Sequence, residues 1–161
     1  MRRTTLITIF LVLVSLTGTI LAEEIEWRDQ SLKKSYSFML PQNWTLKVAN
    51  FNGVFLENSA YPESFLGIVQ VQGPSDMDSW KNDVYEQAKA DGSNPSKPLK
   101  RTIGGVPGFQ LELFTKGKKC VACNLYDGEK NFAIMLVTPP ELYPRLKNDY
   151  ELIARTFRPT K

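Results

Sequence analysis

Short runs in which apolar and polar residues alternate, each closed by turn-forming residues, recur along this chain and dictate most of what it can fold into. Tyr36, Phe38 and Leu40 alternate with Ser35, Ser37 and Met39 until Pro41 stops the run, and Trp44, Leu46 and Val48 begin a second one. Asn52-Gly53 and Asp127-Gly128 are hairpin signals, because both residues of each pair tolerate positive φ. Val54 to Glu57 is therefore expected to return antiparallel. Further on, Phe109, Leu111 and Leu113 alternate with Gln110, Glu112 and Phe114, Lys116-Gly117-Lys118 turns the chain, and Val121, Cys123 and Leu125 share one side of the next run. Phe65 to Val71 is more continuously apolar, which predicts a strand near the sheet centre, and the uniformly apolar Phe132 to Val137 predicts a strand covered on both faces.

Two segments carry helical spacing instead. Met77, Trp80, Val84 and Ala88 recur every three or four residues, with Ser75 or Asp76 placed to accept hydrogen bonds from the opening turn and Gly92 placed to end it. Leu142, Leu146, Tyr150 and Ile153 form the second stripe, and Pro144 belongs in its first turn because an interior proline forfeits a hydrogen bond. Ser93 to Pro98 is the longest loop and a candidate flexible segment. Strands outnumber helices and hairpin turns join most of them, so the expected fold class is α+β, a largely antiparallel sheet whose faces are covered by two main helices.

The amino terminus follows different rules. Arg2 and Arg3 precede an apolar stretch from Leu6 to Leu16, followed by Thr17-Gly18-Thr19 and Ala22, so residues 1–22 read as a secretory signal and 23–161 as one α+β domain. An uncleaved membrane anchor is the alternative reading, since Thr4 to Ala22 spans 19 residues. The signal places the mature protein in a periplasm, a lumen or the extracellular space. Those 22 residues hold two arginines and no acid, so without them the formal charge falls from +3 to +1. A nearly neutral domain argues against a nucleic-acid partner. The basic groups at Lys97, Lys100 and Arg101 and at Lys116, Lys118 and Lys119 read as solvated turns.

The chain of 161 residues contains no histidine, which removes the commonest general base and with it any Ser-His-Asp or Cys-His pair. Asp and Glu are scattered over turns and helix surfaces without a recognisable grouping, so no catalytic residue and no cofactor is assigned. Cys120 and Cys123 are the candidate redox or metal residues. In redox enzymes such a pair sits at a helix amino terminus, but here it falls within a strand. Residues three apart in a strand face opposite sides, with Cα atoms roughly 10 Å apart against the 4.4–6.8 Å of a disulfide. Two thiolates also supply only half of a tetrahedral zinc site. The run Gly104-Gly105-Val106-Pro107-Gly108 lacks the Lys and Ser/Thr of a phosphate-binding loop and reads as a turn. Trp27, Trp44 and Trp80 read as core anchors.

Four segments together resemble the PsbP-like family: Tyr36-Ser-Phe-Met-Leu-Pro41 with Trp44 three residues on, the Gly67 strand leading to the Trp80 helix, Ile103-Gly-Gly-Val-Pro-Gly108, and a closing helix ending in Thr156-Phe157. The resemblance spans roughly Glu26 to Arg158. It implies a central antiparallel sheet flanked by helices on both sides. It also implies an extracytoplasmic, non-catalytic accessory protein, since the family's named member supports photosystem II at its lumenal side and many bacterial relatives have no assigned role. The histidine-containing metal sites discussed for photosynthetic members have no counterpart in a histidine-free chain. The resulting expectation is a non-enzymatic binding or assembly protein that holds a protein partner, with membrane contact only through the signal segment or a partner complex. A thiol-active or metal-binding protein using Cys120 and Cys123, or a small-ligand carrier, are the competing readings.

Overall fold

The computed structural model describes residues 23–29, 34–50, 53–71 and 76–160. The expected signal segment, the Asn52 half of one hairpin signal and the Ser75 cap lie outside these residues. Among the described residues, ten strands and two helices follow one another as β1 (Glu23–Asp29), β2 (Lys34–Leu40), β3 (Trp44–Asn50), β4 (Gly53–Asn58), β5 (Phe65–Val71), α1 (Met77–Ala90), β6 (Leu99–Ile103), β7 (Val106–Thr115), β8 (Lys118–Tyr126), β9 (Asn131–Thr138), α2 (Tyr143–Thr156) and β10 (Arg158–Thr160). Seven strands form one antiparallel sheet in the order β3-β4-β5-β9-β8-β7-β6. The fold is the α+β, largely antiparallel arrangement that the alternation predicts, with β5 and β9 in its interior.

One expectation needs correction. Tyr36, Phe38 and Leu40 do not join this sheet; β2 is instead the middle strand of a separate three-stranded sheet, order β1-β2-β10. The two sheets share a core. Tyr36 packs its ring against Phe132 (centroids 4.7 Å apart) and against Phe157 (5.5 Å), while its hydroxyl donates to Asp127 Oδ2 at 2.6 Å. Phe38, Leu40, Leu146, Tyr150 and Ile153 close over Leu66, Ile68, Val121, Cys123, Leu125, Ile134 and Leu136, so the small sheet and α2 together cover one face of the large sheet. Trp44 anchors the rim of this core, its Nε1 donating to Asp149 Oδ2 on α2 at 2.7 Å.

The opposite face carries α1. Trp80 and Ala88 are its buried residues, and the Trp80 ring meets Phe109 of β7 edge-on at 5.5 Å and 78°. Asp76 caps the helix by accepting from the Ser79 amide at 2.8 Å. At the other end Gly92 has φ +76, and the amides of Gly92 and Ser93 return to the carbonyls of Lys89 and Ala88. This is the paired termination that a left-handed glycine permits. The Ser93–Pro98 loop is tied to the sheet: the Ser96 amide donates to the Glu112 carbonyl at 2.7 Å, and the Glu112 amide donates back to Ser96 Oγ at 3.1 Å.

The glycine run also resolves differently from its reading as one turn. Gly104 (φ +57) and Gly105 (φ +83) alone make the two-residue β6–β7 turn, whereas Val106, Pro107 and Gly108 are already strand. Gly108 is there for closeness, since a Cβ on it would lie 2.1 Å from the Asn124 carbonyl oxygen of β8.

Candidate functional site

Pleating decides which side chains the large sheet shows on its α1 face. Directly paired residues share a face. The register therefore lines up three rows across β7, β8, β9, β5 and β4. The first runs Phe109, Asn124, Ala133, Val69 and Gly53; the second runs Leu111, Ala122, Met135, Gly67 and Phe55; the third runs Leu113, Cys120, Val137, Phe65 and Glu57. The first row is buried throughout. In the second, Leu111 is buried beside α1, but Ala122, Met135 and Phe55 are only half-buried. Every member of the third row is half-buried. The expectation that Phe132 to Val137 is covered on both faces thus holds for Phe132 to Ile134 and Leu136 and fails at Met135 and Val137, which α1 leaves open.

At the β4 end this open strip deepens into a recess of about 420 Å³. Phe55 and Phe65 contribute its apolar lining, and the Phe55 ring lies over Gly67, whose absent side chain leaves the space: a Cβ there would touch the ring at 3.4 Å. Three of the four charged side chains at the rim, Lys47, Glu57 and Lys118, are engaged. Lys47 Nζ pairs with Glu57 at 2.9 Å, and Lys118 Nζ donates to the Glu63 carbonyl. Such a surface offers apolar contact bordered by polar groups, the composition of a protein-docking patch.

The candidate thiols stand on opposite faces of β8. Cys120 is half-buried in the third row of the open face; Cys123 is fully buried among the α2-side core residues. Both are free thiols. Burial pushes Cys120 up to about 11. Burial also pushes Cys123 up to about 12, against the opposing pull of the Arg101 guanidinium. Thiols so shifted carry almost no thiolate at neutral pH, and the thiolate is the nucleophile and metal ligand. Among the described residues no group of three or more His, Cys, Asp or Glu side chains could hold a metal ion.

Sequence reasoning placed Cys120 and Cys123 but missed the open rows around Cys120. Their signal was present in the strand pattern: positions 111, 113, 135 and 137 are apolar on the same face as 55 and 65. What the sequence did not reveal is how far α1 reaches. Trp44 and Trp80 are both buried, as core anchors should be; the Trp27 side chain is not among those described.

No protein-family model and no curated protein sequence matches the chain. Solved structures do. The solution structure of the cyanobacterial PsbP protein (CyanoP) from Synechocystis sp. PCC 6803 matches with a TM-score of 0.58 at 16% identity, covering 91% of this chain and 98% of that one. The crystal structure of LpqN, described as involved in cell envelope biogenesis of Mycobacterium tuberculosis, matches with a TM-score of 0.51 at 13% identity, covering 86% of this chain and 91% of that one. The fold is therefore PsbP-like. Among the described residues, no helix is long and apolar enough to cross a membrane.

Proposed function

We propose that the chain is an exported, non-enzymatic accessory protein that holds a protein partner against the open strip of its large sheet. The observation that carries this reading is the half-buried apolar set Leu113, Cys120, Val137 and Phe65, flanked by Met135 and Phe55, on a sheet face that α1 covers only in part. Apolar surface left contiguous in this way gains free energy when a partner removes it from water, at roughly 25 cal/mol per Å². Three further points support the reading. The absence of histidine removes the commonest general base. The leader-like residues 1–22 favour export. One fold relative is described as acting in envelope biogenesis.

The test is a photo-crosslinking amino acid placed at Val137, compared with one at Glu86 on the exposed side of α1, in cells that export the protein. A discrete adduct from position 137 that is absent from position 86, and that disappears with Phe65→Asp in a variant that still folds, is the expected result. Identical adducts from both positions, or none from 137, refute the docking face.

A further inference from the structure

A second recess lies at the opposite end of β7, on the α2 side. It holds about 500 Å³ between the β6–β7 turn and the carboxyl end of α2, and its chemistry is cationic: Arg101, Arg155 and Arg158 line it with Glu151 and the turn glycines Gly104 and Gly105. The fold brings them together by close packing. A Cβ on Gly104 would lie 2.4 Å from the Phe157 carbonyl oxygen, so the turn sits directly against the α2–β10 junction only because that residue is glycine. Arg101 shares its face with Gly108 and Leu125, which points it under α2, where its Nη2 donates to Glu151 Oε2 at 3.0 Å.

Two of the three guanidiniums have structural work. Arg101 is ion-paired, and Arg158 Nη1 donates to the Arg155 and Phe157 carbonyls at 2.8 and 2.7 Å, satisfying the exposed end of α2. Arg155 does not. Its guanidinium has no hydrogen-bond or ion-pair partner among the described residues, although it stands at the mouth of the recess. Three arginines against one carboxylate leave a net charge of +2. The helix carboxyl end subtracts only about half a charge. The recess volume falls within the range of small-ligand sites, about 300–1,000 Å³.

We propose that this recess binds the phosphate group of a small phosphorylated polyol. The guanidinium fork of Arg155 matches phosphate geometry, with Arg101 and the free end of Arg158 completing the charge. Glu151 Oε1, which makes no hydrogen bond among the described residues, accepts from a ligand hydroxyl. That hydroxyl contact favours a phosphorylated polyol over inorganic phosphate, which has no polyol hydroxyl to donate. The site shares no residue with the open apolar strip, so either proposal can fail alone.

The experiment is an NMR titration of the isotope-labelled protein with inorganic phosphate and with glycerol 3-phosphate at constant ionic strength, alongside sedimentation with phosphatidylglycerol and phosphatidylcholine vesicles. Saturable shifts confined to Gly104, Gly105 and residues 151–158 are expected, tighter for glycerol 3-phosphate than for inorganic phosphate. In Arg155→Ala, whose other resonances should stay in place because the side chain has no internal partner, binding should weaken about tenfold. Binding to phosphatidylglycerol vesicles that Arg155→Ala abolishes assigns the phosphate to a lipid headgroup; binding of the soluble ester without vesicle binding assigns it to a free metabolite. Shifts that never saturate at millimolar ester with no vesicle binding, or binding unchanged in Arg155→Ala, overturn the proposal.

Discussion

Trp80 is the residue on which attachment of α1 depends. It is 3% exposed, it is one of only two buried residues on a 14-residue helix, and its partner Phe109 is 2% exposed. Replacing it with alanine withdraws an aromatic side chain that buries roughly 150–250 Å². At about 25 cal/mol per Å², and allowing for the part the alanine still covers, that is a loss of about 4 kcal/mol, within the usual range for such truncations. Removing the edge-on contact with Phe109 adds about 1 kcal/mol. A typical domain has only 5–15 kcal/mol in total. Trp80→Ala should therefore lower the urea midpoint steeply, followed by the fluorescence of the two remaining tryptophans, of which Trp44 sits in the other core. Hydrogen exchange should show the α1 amides losing protection before those of β9. Val84→Ala, at a half-buried position, should cost only about 1 kcal/mol. A loss below about 1 kcal/mol for Trp80→Ala, or α1 protection unchanged, would show that something other than this side chain fastens the helix.

Glycine positions separate two kinds of cost. Gly108→Ala forces a Cβ against the Asn124 carbonyl and should destabilise by about 3 kcal/mol in chemical denaturation, whereas Gly117→Ala meets nothing within 4 Å and should cost only the left-handed penalty of about 1 kcal/mol; equal costs would contradict the close β7–β8 approach. Burial raises the Asp149 carboxyl, partly offset by the hydrogen bond from Trp44, so folding disfavours its charged form and stability should rise as pH falls from neutral through its titration. Asp149→Asn keeps an acceptor for the Trp44 indole and should be at least as stable as wild type at pH 7 in thermal melts, with the difference shrinking in acid; a clear loss at pH 7 would mean the charge itself is needed. Thiol alkylation at neutral pH should be slow at Cys120 and absent at Cys123 until the protein is unfolded, and rapid modification of native Cys123 would contradict its burial.

Local signals were read where local physics decides. The limits of α1 follow from Asp76 and Gly92, because a cap is a contact between near neighbours in sequence. Pro144 marks the start of α2 for the same reason, occupying a first-turn position where its missing amide costs nothing. Partition of strands between two sheets is different. Tyr36 looks like any member of a meander until Pro159 pairs beside it from the far end of the chain, and β10 is three residues long with a proline in the middle. No window of sequence contains that pairing. Gly108 was misread through a similar limit: it lacks positive φ, and the demand for glycine there comes from Asn124, sixteen residues on.

The apolar rows were legible in the strand pattern, but how much of them α1 leaves open was not, for a geometrical reason that also explains why the strip exists. Seven strands spaced at roughly 4.8 Å make a sheet about 29 Å wide. A helix of 14 residues is about 21 Å long and about 10 Å across, so in any orientation α1 covers only part of that face. The other face has α2 and a three-stranded sheet to close it, and its central side chains are buried almost completely. If the uncovered part of the α1 face simply met water, pleating would allow polar residues at every second position, as on any half-solvated antiparallel strand. The chain instead places leucine, cysteine, valine and phenylalanine side by side across β7, β8, β9 and β5, and introduces a charge only at Glu57 on β4, where Lys47 neutralises it. A lone apolar side chain at a surface is ordinary, but an unbroken, only half-buried row across four strands is not. The row is thus the feature that supports the proposed docking face.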